Sequence, residues 1–261
     1  MIKRNSIKTI SFIGSGNVAT HLAAALQKAG LRILEVFSPN IENAKRFAEQ
    51  FGCNVVEYIQ HLSTKVDLLI IAIPDAKVEE VANSLPSFEG IVAHTSGITG
   101  MDILKNAKNF GVFYPLQTFT RNRKMDISDA PFCIEGSSEE VGEKLLELAR
   151  TISQSVQTVN SEERKQLHLA AVLVSNFTNH LYGISHDFLE STQLDFDLLL
   201  PLIRETSAKV QDISPEKAQT GPARRDDEAT LKSHLKMLEN SPEQEALYRL
   251  ISEQIKKKYN E

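Results

Sequence analysis

The chain has 261 residues, 41% of them hydrophobic and 24% charged, and a formal net charge of −5 at pH 7. This length and composition are typical of a globular protein with one large domain or two small ones. The negative net charge gives no reason to expect nucleic acid or an anionic membrane as a partner.

The cysteines and the apolar runs exclude further classes. Cys53 and Cys133 are the only cysteines, which supports neither a disulfide framework nor a cysteine-based metal site, and we expect no metal. The longest apolar run, near 68–73, is too short to span a bilayer, and the first five residues lack the apolar core of a signal peptide. We therefore expect a cytoplasmic protein.

Strands and helices alternate through the first 160 residues. The strands are predicted at 7–13, 31–37, 53–56, 66–73, 91–94, 111–114, 132–135 and 155–159. The helices between them are predicted at 17–29, 41–51, 75–82, 101–105 and 141–153. The strand at 66–73 is apolar without alternation, as expected for a strand that is buried on both faces. This order predicts an α/β fold with a doubly wound parallel sheet.

Beyond residue 160 the pattern becomes helical. Helices are predicted at 162–191, 198–212, 215–219, 226–238 and 242–257. We therefore predict an α/β domain at 1–160 and a smaller all-helical domain at 161–261. Small-molecule sites often lie where two domains meet, and we expect the substrate there.

A glycine turn joins the first predicted strand to the first predicted helix. Gly14 permits a tight turn, Gly16 lets a pyrophosphate approach the backbone, and Ala19 is small enough for close packing of the helix on the strand. The free N–H groups of the helix would bind the pyrophosphate. The sheet is thus expected to be Rossmann-like and to bind a dinucleotide. The expected pyrophosphate-binding residues are Gly14, Ser15, Gly16, Asn17 and Val18.

The end of the second strand favours NADP over NAD. No Asp or Glu occurs at 36–41, where an acid would bind the ribose of NAD, and Glu35 is expected to face the other way. Ser38 and Asn40 could donate to a 2′-phosphate. Lys45 and Arg46 either approach that phosphate or form the solvated face of a helix. NAD remains an alternative.

Three segments follow strands at the edge of the sheet where ligands of such folds lie. Ile73 and Pro74 come where the nicotinamide half of a cofactor passes. Thr95 and Ser96 follow the fifth strand, and Gln117 follows the sixth. Ser96 and Gln117 are candidates for the substrate side, and Thr95 and Ser96 for the cofactor side. The alternative is that these hydroxyls cap their own loops.

The helix after residue 160 carries a polar arc. It comprises Lys165, His168, Val172, Ser175, Asn176 and Asn179, and opposite it lie Leu169, Leu173, Val174 and Phe177. We predict that the arc faces the cleft, with His168 moving a proton and Asn176 orienting a substrate carbonyl or carboxamide. Alternatively, the arc faces solvent and His168 is structural.

A glycine- and proline-containing turn interrupts the helical half at 220–227. Arg224, together with Arg225, could bind a carboxylate or phosphate through bidentate hydrogen bonds. The two arginines could equally pair with Asp226 and Asp227.

These segments together resemble one family, the Rossmann-like proteins with an attached domain of unknown function (DUF2520). The resemblance rests on 14–19, 94–97, 114–119, 168–176 and 220–226 with His234 and Leu235. The layout is more distantly similar to pyrroline-5-carboxylate reductase, ketopantoate reductase and the 6-phosphogluconate and 3-hydroxyisobutyrate dehydrogenases. The resemblance implies an NADP-binding domain followed by a helical domain that often makes a dimer.

Two departures from these relatives limit what the resemblance implies. Pro39 stands where the family commonly has an arginine, which weakens the argument for a 2′-phosphate. The spacing from Lys165 to Asn176 does not reproduce the lysine and asparagine of the β-hydroxyacid dehydrogenases, so their lysine chemistry is not carried over.

The leading hypothesis is an NADP-dependent oxidoreductase that moves a hydride between the nicotinamide and a small oxo, hydroxy or imino acid. The substrate is expected to carry a carboxylate, and the helical domain is expected to form a homodimer. The residues expected on the substrate side are Ser96, Gln117, His168, Asn176 and Arg224. The competing hypothesis is a non-catalytic NADP(H)-binding sensor or scaffold, and a third is that the glycine turn binds another nucleotide or nothing.

Overall fold

A computed structural model describes residues 7–120, 123 and 125–260. These residues group into two compact units, Met1–Asn176 and Phe177–Glu261. The predicted boundary at 160 falls where the sheet ends, and the first unit continues beyond it into the helical half. In the described part of the chain, no helix is both long and apolar enough to cross a membrane. The first five residues, on which the expectation about a signal peptide rests, lie outside the described residues.

The first unit contains an eight-stranded sheet with the order β3-β2-β1-β4-β5-β6-β7-β8. The strands are β1 (Thr9–Ile13), β2 (Arg32–Phe37), β3 (Asn54–Val56), β4 (Leu68–Ile71), β5 (Ile91–His94), β6 (Asn109–Pro115), β7 (Phe132–Gly136) and β8 (Val156–Thr158). The doubly wound, Rossmann-like sheet is thereby confirmed.

One strand pair departs from the parallel sheet that the sequence predicted. β6 and β7 are antiparallel, with Phe113 opposite Ile134, whereas the remaining neighbours are parallel. A parallel neighbour requires a crossover, usually through a helix. The described residues of 116–131, which join the two strands, form no helix, and the chain returns in the opposite direction.

The helices of this unit begin and end at clear sequence signals. They are α1 (Asn17–Lys28), α2 (Ile41–Phe51), α3 (Val78–Ser84), α4 (Glu139–Arg150) and α5 (Ser161–Ala171). The Asn40 side chain caps α2, and Gly52 ends it at a φ of +64°. Asn160 and Glu163 form a capping box at the start of α5, which fixes where the helical half begins.

The core lies on both faces of the sheet. One face packs against α1, α2 and α4 through residues such as Phe12, Leu22 and Phe47, and the other packs against α3. Burial of such a side chain contributes about 1.5–3 kcal/mol. A third cluster joins Tyr114 and Cys133 on neighbouring strands to Leu167 of α5. This cluster attaches α5 to the sheet beside the candidate site.

The predicted helix at 162–191 is not continuous. A π-helical segment, Val172–Phe177, separates α5 from α6 (Thr178–Glu190). Such segments are rare and frequently accompany functional sites. The second unit contains α6, α7 (Leu200–Asp212), α8 (Pro215–Ala218), α9 (Glu228–Met237) and α10 (Pro242–Asn260).

Candidate functional site

The glycine turn has the backbone geometry that a dinucleotide fingerprint requires. Gly14 has a φ of +102°, and its amide donates to the carbonyl of Phe37 at 2.8 Å, which ties the turn to the end of β2. A Cβ on Gly14 would lie only 2.8 Å from the carbonyl carbon of Ala72. A side chain at this position is excluded by the adjoining strand end, as well as by the backbone conformation.

The N-terminus of α1 fits a pyrophosphate. Gly16 is the N-cap residue, no side chain caps the helix, and its first turn contains no acidic residue. A Cβ on Gly16 would meet no atom within 4 Å, so the space beside this residue is open. Uncapped N–H groups and the positive end of a helix form an anion site.

The predicted pyrophosphate residues are not all equivalent. Ser15 is buried, and Val18 packs against the core. The Asn17 side chain donates to the carbonyl of Phe119 at 2.9 Å, so it ties α1 to the segment after β6. The backbone of 14–18 is therefore the part best placed to hold phosphate oxygens.

The end of β2 lacks an acid that could bind a ribose. The Glu35 carboxylate accepts the amide of Ser63 at 2.9 Å, and this side chain is thus used within the fold. Ser38 follows β2 directly. Asn40 uses its side-chain oxygen to cap α2, where it accepts from Asn43 at 3.0 Å.

The two basic residues on α2 belong to its exposed face. Lys45 forms an ion pair with Glu42 at 3.3 Å, and Arg46 donates to the carbonyl of Glu42. These contacts within α2 are those expected of basic residues on a helix face that is turned to solvent.

The segments after β4 and β5 lie side by side because the two strands are neighbours. Ile73 and Pro74 follow β4, and Ile73 lies near the glycine turn. Thr95 donates from its amide to the carbonyl of Ile71 at 3.1 Å, and its hydroxyl bonds the same oxygen. Thr95 thus joins the two strand ends.

Ser96 organises the loop after β5. It is 5% exposed, and its hydroxyl oxygen accepts the amides of Ile98 at 3.3 Å and Thr99 at 2.9 Å. The hydroxyls of Ser96 and Thr99 lie 2.8 Å apart. The structure therefore places Ser96 in the predicted loop with its hydroxyl engaged locally, as the loop-capping alternative expected.

His168 of α5 lies against this loop and against the end of β6. Its Nδ1 is 3.0 Å from the hydroxyl of Tyr114, and the two ring centroids are 6.1 Å apart. A Cβ on Gly97 would lie 2.7 Å from Cγ of His168 and 3.0 Å from Cζ of Tyr114. Only glycine leaves room here for the imidazole to reach the tyrosine.

The Tyr114 hydroxyl determines which nitrogen of His168 carries hydrogen. Burial, with smaller effects of Cys133 and Asp75, raises the pKa of Tyr114 to about 12, so the phenol stays protonated at neutral pH. Among the described residues, its one hydrogen-bond partner is Nδ1 of His168. The buried hydroxyl donates there, and in the neutral imidazole the hydrogen is then on Nε2.

Arg164, one turn before His168, is fully buried. It donates to Glu135 of β7 at 2.6 Å and to the carbonyl of Thr99 at 2.6 Å. Buried charges are usually paired in this way, since an unpaired guanidinium would be costly. The pair fixes α5 to the sheet and to the loop that contains Ser96.

His94 ends β5 beneath this site and is fully buried. Burial, reinforced by the charge of Arg164, lowers the pKa of His94 to about 4. Its Nδ1 accepts the amide of Ser96 at 3.2 Å, whereas its Nε2 has no hydrogen-bond partner among the described residues. His94 is therefore a neutral structural histidine at physiological pH.

The other predicted substrate-side residues have contacts or exposure of their own. Gln117 is exposed, and its side-chain oxygen accepts the amide of Thr118 at 2.8 Å. Asn176 is exposed in the π-helical segment. In the second unit, Arg224 donates to the carbonyl of Tyr259 at 3.2 Å and lies 4.7 Å from its ring centroid. Of the predicted catalytic set, Ser96 and His168 share one neighbourhood through Gly97.

Sequence reasoning missed the importance of Tyr114 and Arg164, whereas Gly97 belongs to the loop after the fifth strand that it proposed for the site. Tyr114 stands at a predicted strand end, and a hydroxyl at such a position was an available signal. Arg164 carried no signal, because an arginine in a polar helix start is usually exposed.

Comparisons with known proteins identify relatives of the chain. Residues 9–93 match the family described as NADP oxidoreductase, coenzyme F420-dependent, and residues 130–255 match a domain of unknown function, DUF2520. A "putative NADP oxidoreductase" from Bacteroides fragilis is 38% identical over 96% of this chain and 98% of that chain, with a TM-score of 0.90. The chain belongs to the family of this relative, in which an NADP-binding domain is followed by a DUF2520 domain. The resemblance inferred from the sequence is confirmed, and the family is one of NADP oxidoreductases.

Two further solved structures share the fold. The chain covers 98% of a 1-pyrroline-5-carboxylate reductase from Streptococcus pyogenes, with 95% of this chain aligned, 14% identity and a TM-score of 0.64. It covers 92% of an imine reductase from Myxococcus stipitatus in complex with NADP+, with 95% of this chain aligned, 14% identity and a TM-score of 0.57. No curated protein matches the chain in sequence.

Proposed function

We propose that the protein is an NADP-dependent oxidoreductase acting on a small oxo, hydroxy or imino acid, with His168 as its proton donor and acceptor. The observation that carries the proposal is the contact of 3.0 Å between His168 Nδ1 and the Tyr114 hydroxyl, at the strand ends beside Gly97. Ligands of doubly wound sheets lie at this edge.

The Tyr114 hydroxyl suits both protonation states of His168. It donates to Nδ1 of the resting neutral imidazole and accepts from Nδ1–H of the imidazolium. In a reduction, the imidazolium gives its Nε2 proton to the substrate oxygen or nitrogen, while Nδ1–H stays bonded to the Tyr114 oxygen. Solvent then returns a proton to Nε2, and loss of the Nδ1 proton to solvent gives back the resting tautomer. In the oxidation direction, the Nδ1–H tautomer would accept the substrate proton at Nε2.

The bound cofactor would supply the hydride. The backbone of Gly14, Ser15, Gly16, Asn17 and Val18 would hold its pyrophosphate at the N-terminus of α1, which no N-cap side chain occupies. Ser38 and Asn40 would meet the ribose phosphate, and the absence of a free acid after β2 supports NADP. Ile73, Pro74, Thr95 and Ser96 would line the nicotinamide side, largely through backbone atoms.

An imino or oxo acid is favoured because the family is one of NADP oxidoreductases and because related folds include a pyrroline-5-carboxylate reductase and an imine reductase. Gln117 and Asn176 are the proposed carboxylate and carbonyl contacts in the first unit. Arg224 lies in the second unit, and its role in binding a carboxylate stays a prediction from the sequence.

A homodimer through the helical half is proposed from the exposed apolar side chains of the second unit. Phe177, Leu198 and Leu202 are 56%, 68% and 62% exposed. Apolar surface of this kind commonly marks an interface.

The test is NADPH oxidation with a panel of cyclic imines and 2-oxo acids, each with and without a carboxylate. We expect carboxylate-bearing substrates to be turned over, and His168→Gln to lower kcat about 100-fold or more without changing the Kd for NADPH. His180→Gln, at an exposed histidine of α6, is the matched control.

Unchanged turnover in His168→Gln would remove His168 from the mechanism. NADPH binding without consumption across the panel would favour the alternative of a non-catalytic sensor or scaffold.

A further inference from the structure

Arg164 joins α5 to two other parts of the first unit. Its guanidinium bonds Glu135 of β7 and the carbonyl of Thr99, both at 2.6 Å, and the Ser161 hydroxyl at 3.2 Å. The side chain is fully buried, whereas the carboxyl-bearing side chain of Glu135 is 16% exposed. The pair is thus shielded from solvent and from screening by salt.

The start of α5 is held by the same groups. Glu135 accepts the amide of Ser161 at 3.1 Å and its hydroxyl at 2.7 Å. Ser161 in turn accepts the amide of Met101 at 3.0 Å. Because these bonds reach β7 and the segment after β5, they leave α5 little freedom to rotate or slide.

The loop between these anchor points holds Gly97. Ser96 fixes the loop from within, and Arg164 holds it from α5 through the carbonyl of Thr99. Gly97 contacts the imidazole of His168 so closely that a methyl group would not fit. A small shift of α5 relative to the loop would therefore move the imidazole out of reach of the Tyr114 hydroxyl.

The chemistry of this network requires arginine. One guanidinium nitrogen bonds the carboxylate, and another bonds the carbonyl on a different segment, which a planar fork with fixed donors can do. A lysine has a single ammonium nitrogen on a flexible chain, so it does not offer two separate nitrogens in a fixed plane to the carboxylate and the carbonyl. Buried ion pairs are weak contributors to stability compared with apolar pairs of similar volume, so the value of this pair lies in its geometry.

We propose that Arg164 is the positioning residue of His168. It holds α5 and the loop that contains Gly97 in a fixed relative position. The Tyr114 hydroxyl then reaches Nδ1 of His168, and Nε2 carries the hydrogen of the resting neutral ring. The consequence for turnover rests on the proposed function, whereas the state of the His168 ring does not.

The test is NMR of the full chain labelled with ¹⁵N-histidine, in which two-bond correlations report the tautomer of each ring. The His168 signals are assigned by their loss in His168→Gln. In the wild type at pH 8 we expect the Nε2–H tautomer. In Arg164→Lys we expect a mixture of tautomers and a kcat lowered about 10-fold or more, with the Kd for NADPH unchanged.

Two further variants separate positioning from folding. Arg164→Met combined with Glu135→Gln removes the ion pair without leaving a buried charge, and the glutamine oxygen can still accept the amide of Ser161. It should lose the single tautomer of His168 although its thermal unfolding remains cooperative. Arg249→Lys alters an exposed arginine–glutamate pair on α10 and should leave the His168 signals unchanged. His234, bonded to the Tyr248 hydroxyl at 2.8 Å, is an internal reference.

A wild-type His168 signature in both folded Arg164 variants would overturn the proposal. Altered His168 signals in those variants, together with unchanged turnover in His168→Gln, would sustain the positioning role and refute the proposed function. Unaltered His168 signals in those variants, together with loss of turnover in His168→Gln, would refute the positioning role and support the proposed function.

Discussion

The buried histidine at the end of β5 makes the stability of the fold sensitive to acid. The native state holds His94 neutral, with its pKa lowered from 6.5 to about 4, because burial and the Arg164 charge disfavour the imidazolium. The unfolded chain takes up this proton below about pH 6.5. Between the two pKa values the unfolded state binds more protons, and the free energy of unfolding therefore falls as the pH falls.

The magnitude follows from the shift. One pKa unit corresponds to about 1.4 kcal/mol, so the full effect is about 3 kcal/mol. Between pH 7 and pH 4.5 we expect about 2 kcal/mol of it, because the native state itself begins to bind the proton near its own pKa. This is a substantial fraction of the stability of an ordinary domain.

His94→Asn tests this reasoning. The asparagine oxygen can accept the amide of Ser96 in place of Nδ1, but it does not titrate. Urea unfolding followed by circular dichroism at pH 7 and 4.5 gives the free energy of unfolding for each protein. The variant should be less stable than the wild type at pH 7, because the smaller side chain leaves space in the core. From pH 7 to 4.5, however, it should lose about 2 kcal/mol less than the wild type.

Other titrating groups change the free energy of unfolding of both proteins in the same way. The difference between the loss of stability in the wild type and the loss in His94→Asn therefore reports the contribution of His94. His61→Asn, at an exposed histidine, controls for the removal of a histidine elsewhere. Equal losses in the wild type and His94→Asn would show that the native state does not hold the ring neutral.

Substitutions at three glycines give the remaining predictions. Gly14→Ala should lower Tm by several degrees, because the methyl group meets Ala72 and φ is +102°; an unchanged Tm would contradict the geometry of the turn. Gly16→Ala should keep the wild-type Tm, since its Cβ meets nothing within 4 Å, yet weaken NADPH binding in a fluorescence titration. Gly97→Ala should displace His168 from Tyr114 and lower kcat about 100-fold; wild-type NADPH oxidation would show that the imidazole tolerates the methyl group.

Local sequence patterns determined most of the elements of the first unit. Apolar strands, the Asn40 and Asn160 caps and the stop at Gly52 act over a few residues, so their effect is readable without the fold. The glycine turn was predictable for the same reason. The orientation of β7 was not, because an antiparallel return depends on how the segment before it crosses the sheet.

The site depended on contacts between residues distant in sequence. His168 lies 54 residues from Tyr114, and Arg164 lies 29 residues from Glu135. Helical periodicity placed His168 on a polar arc but could not say which strand ends it meets. The burial of Arg164 is likewise a property of packing and not of its neighbours in the chain. The sequence by itself determined most of the elements and the glycine turn, whereas tertiary packing decided which side chains hold the imidazole, because that choice depends on distances between separate elements.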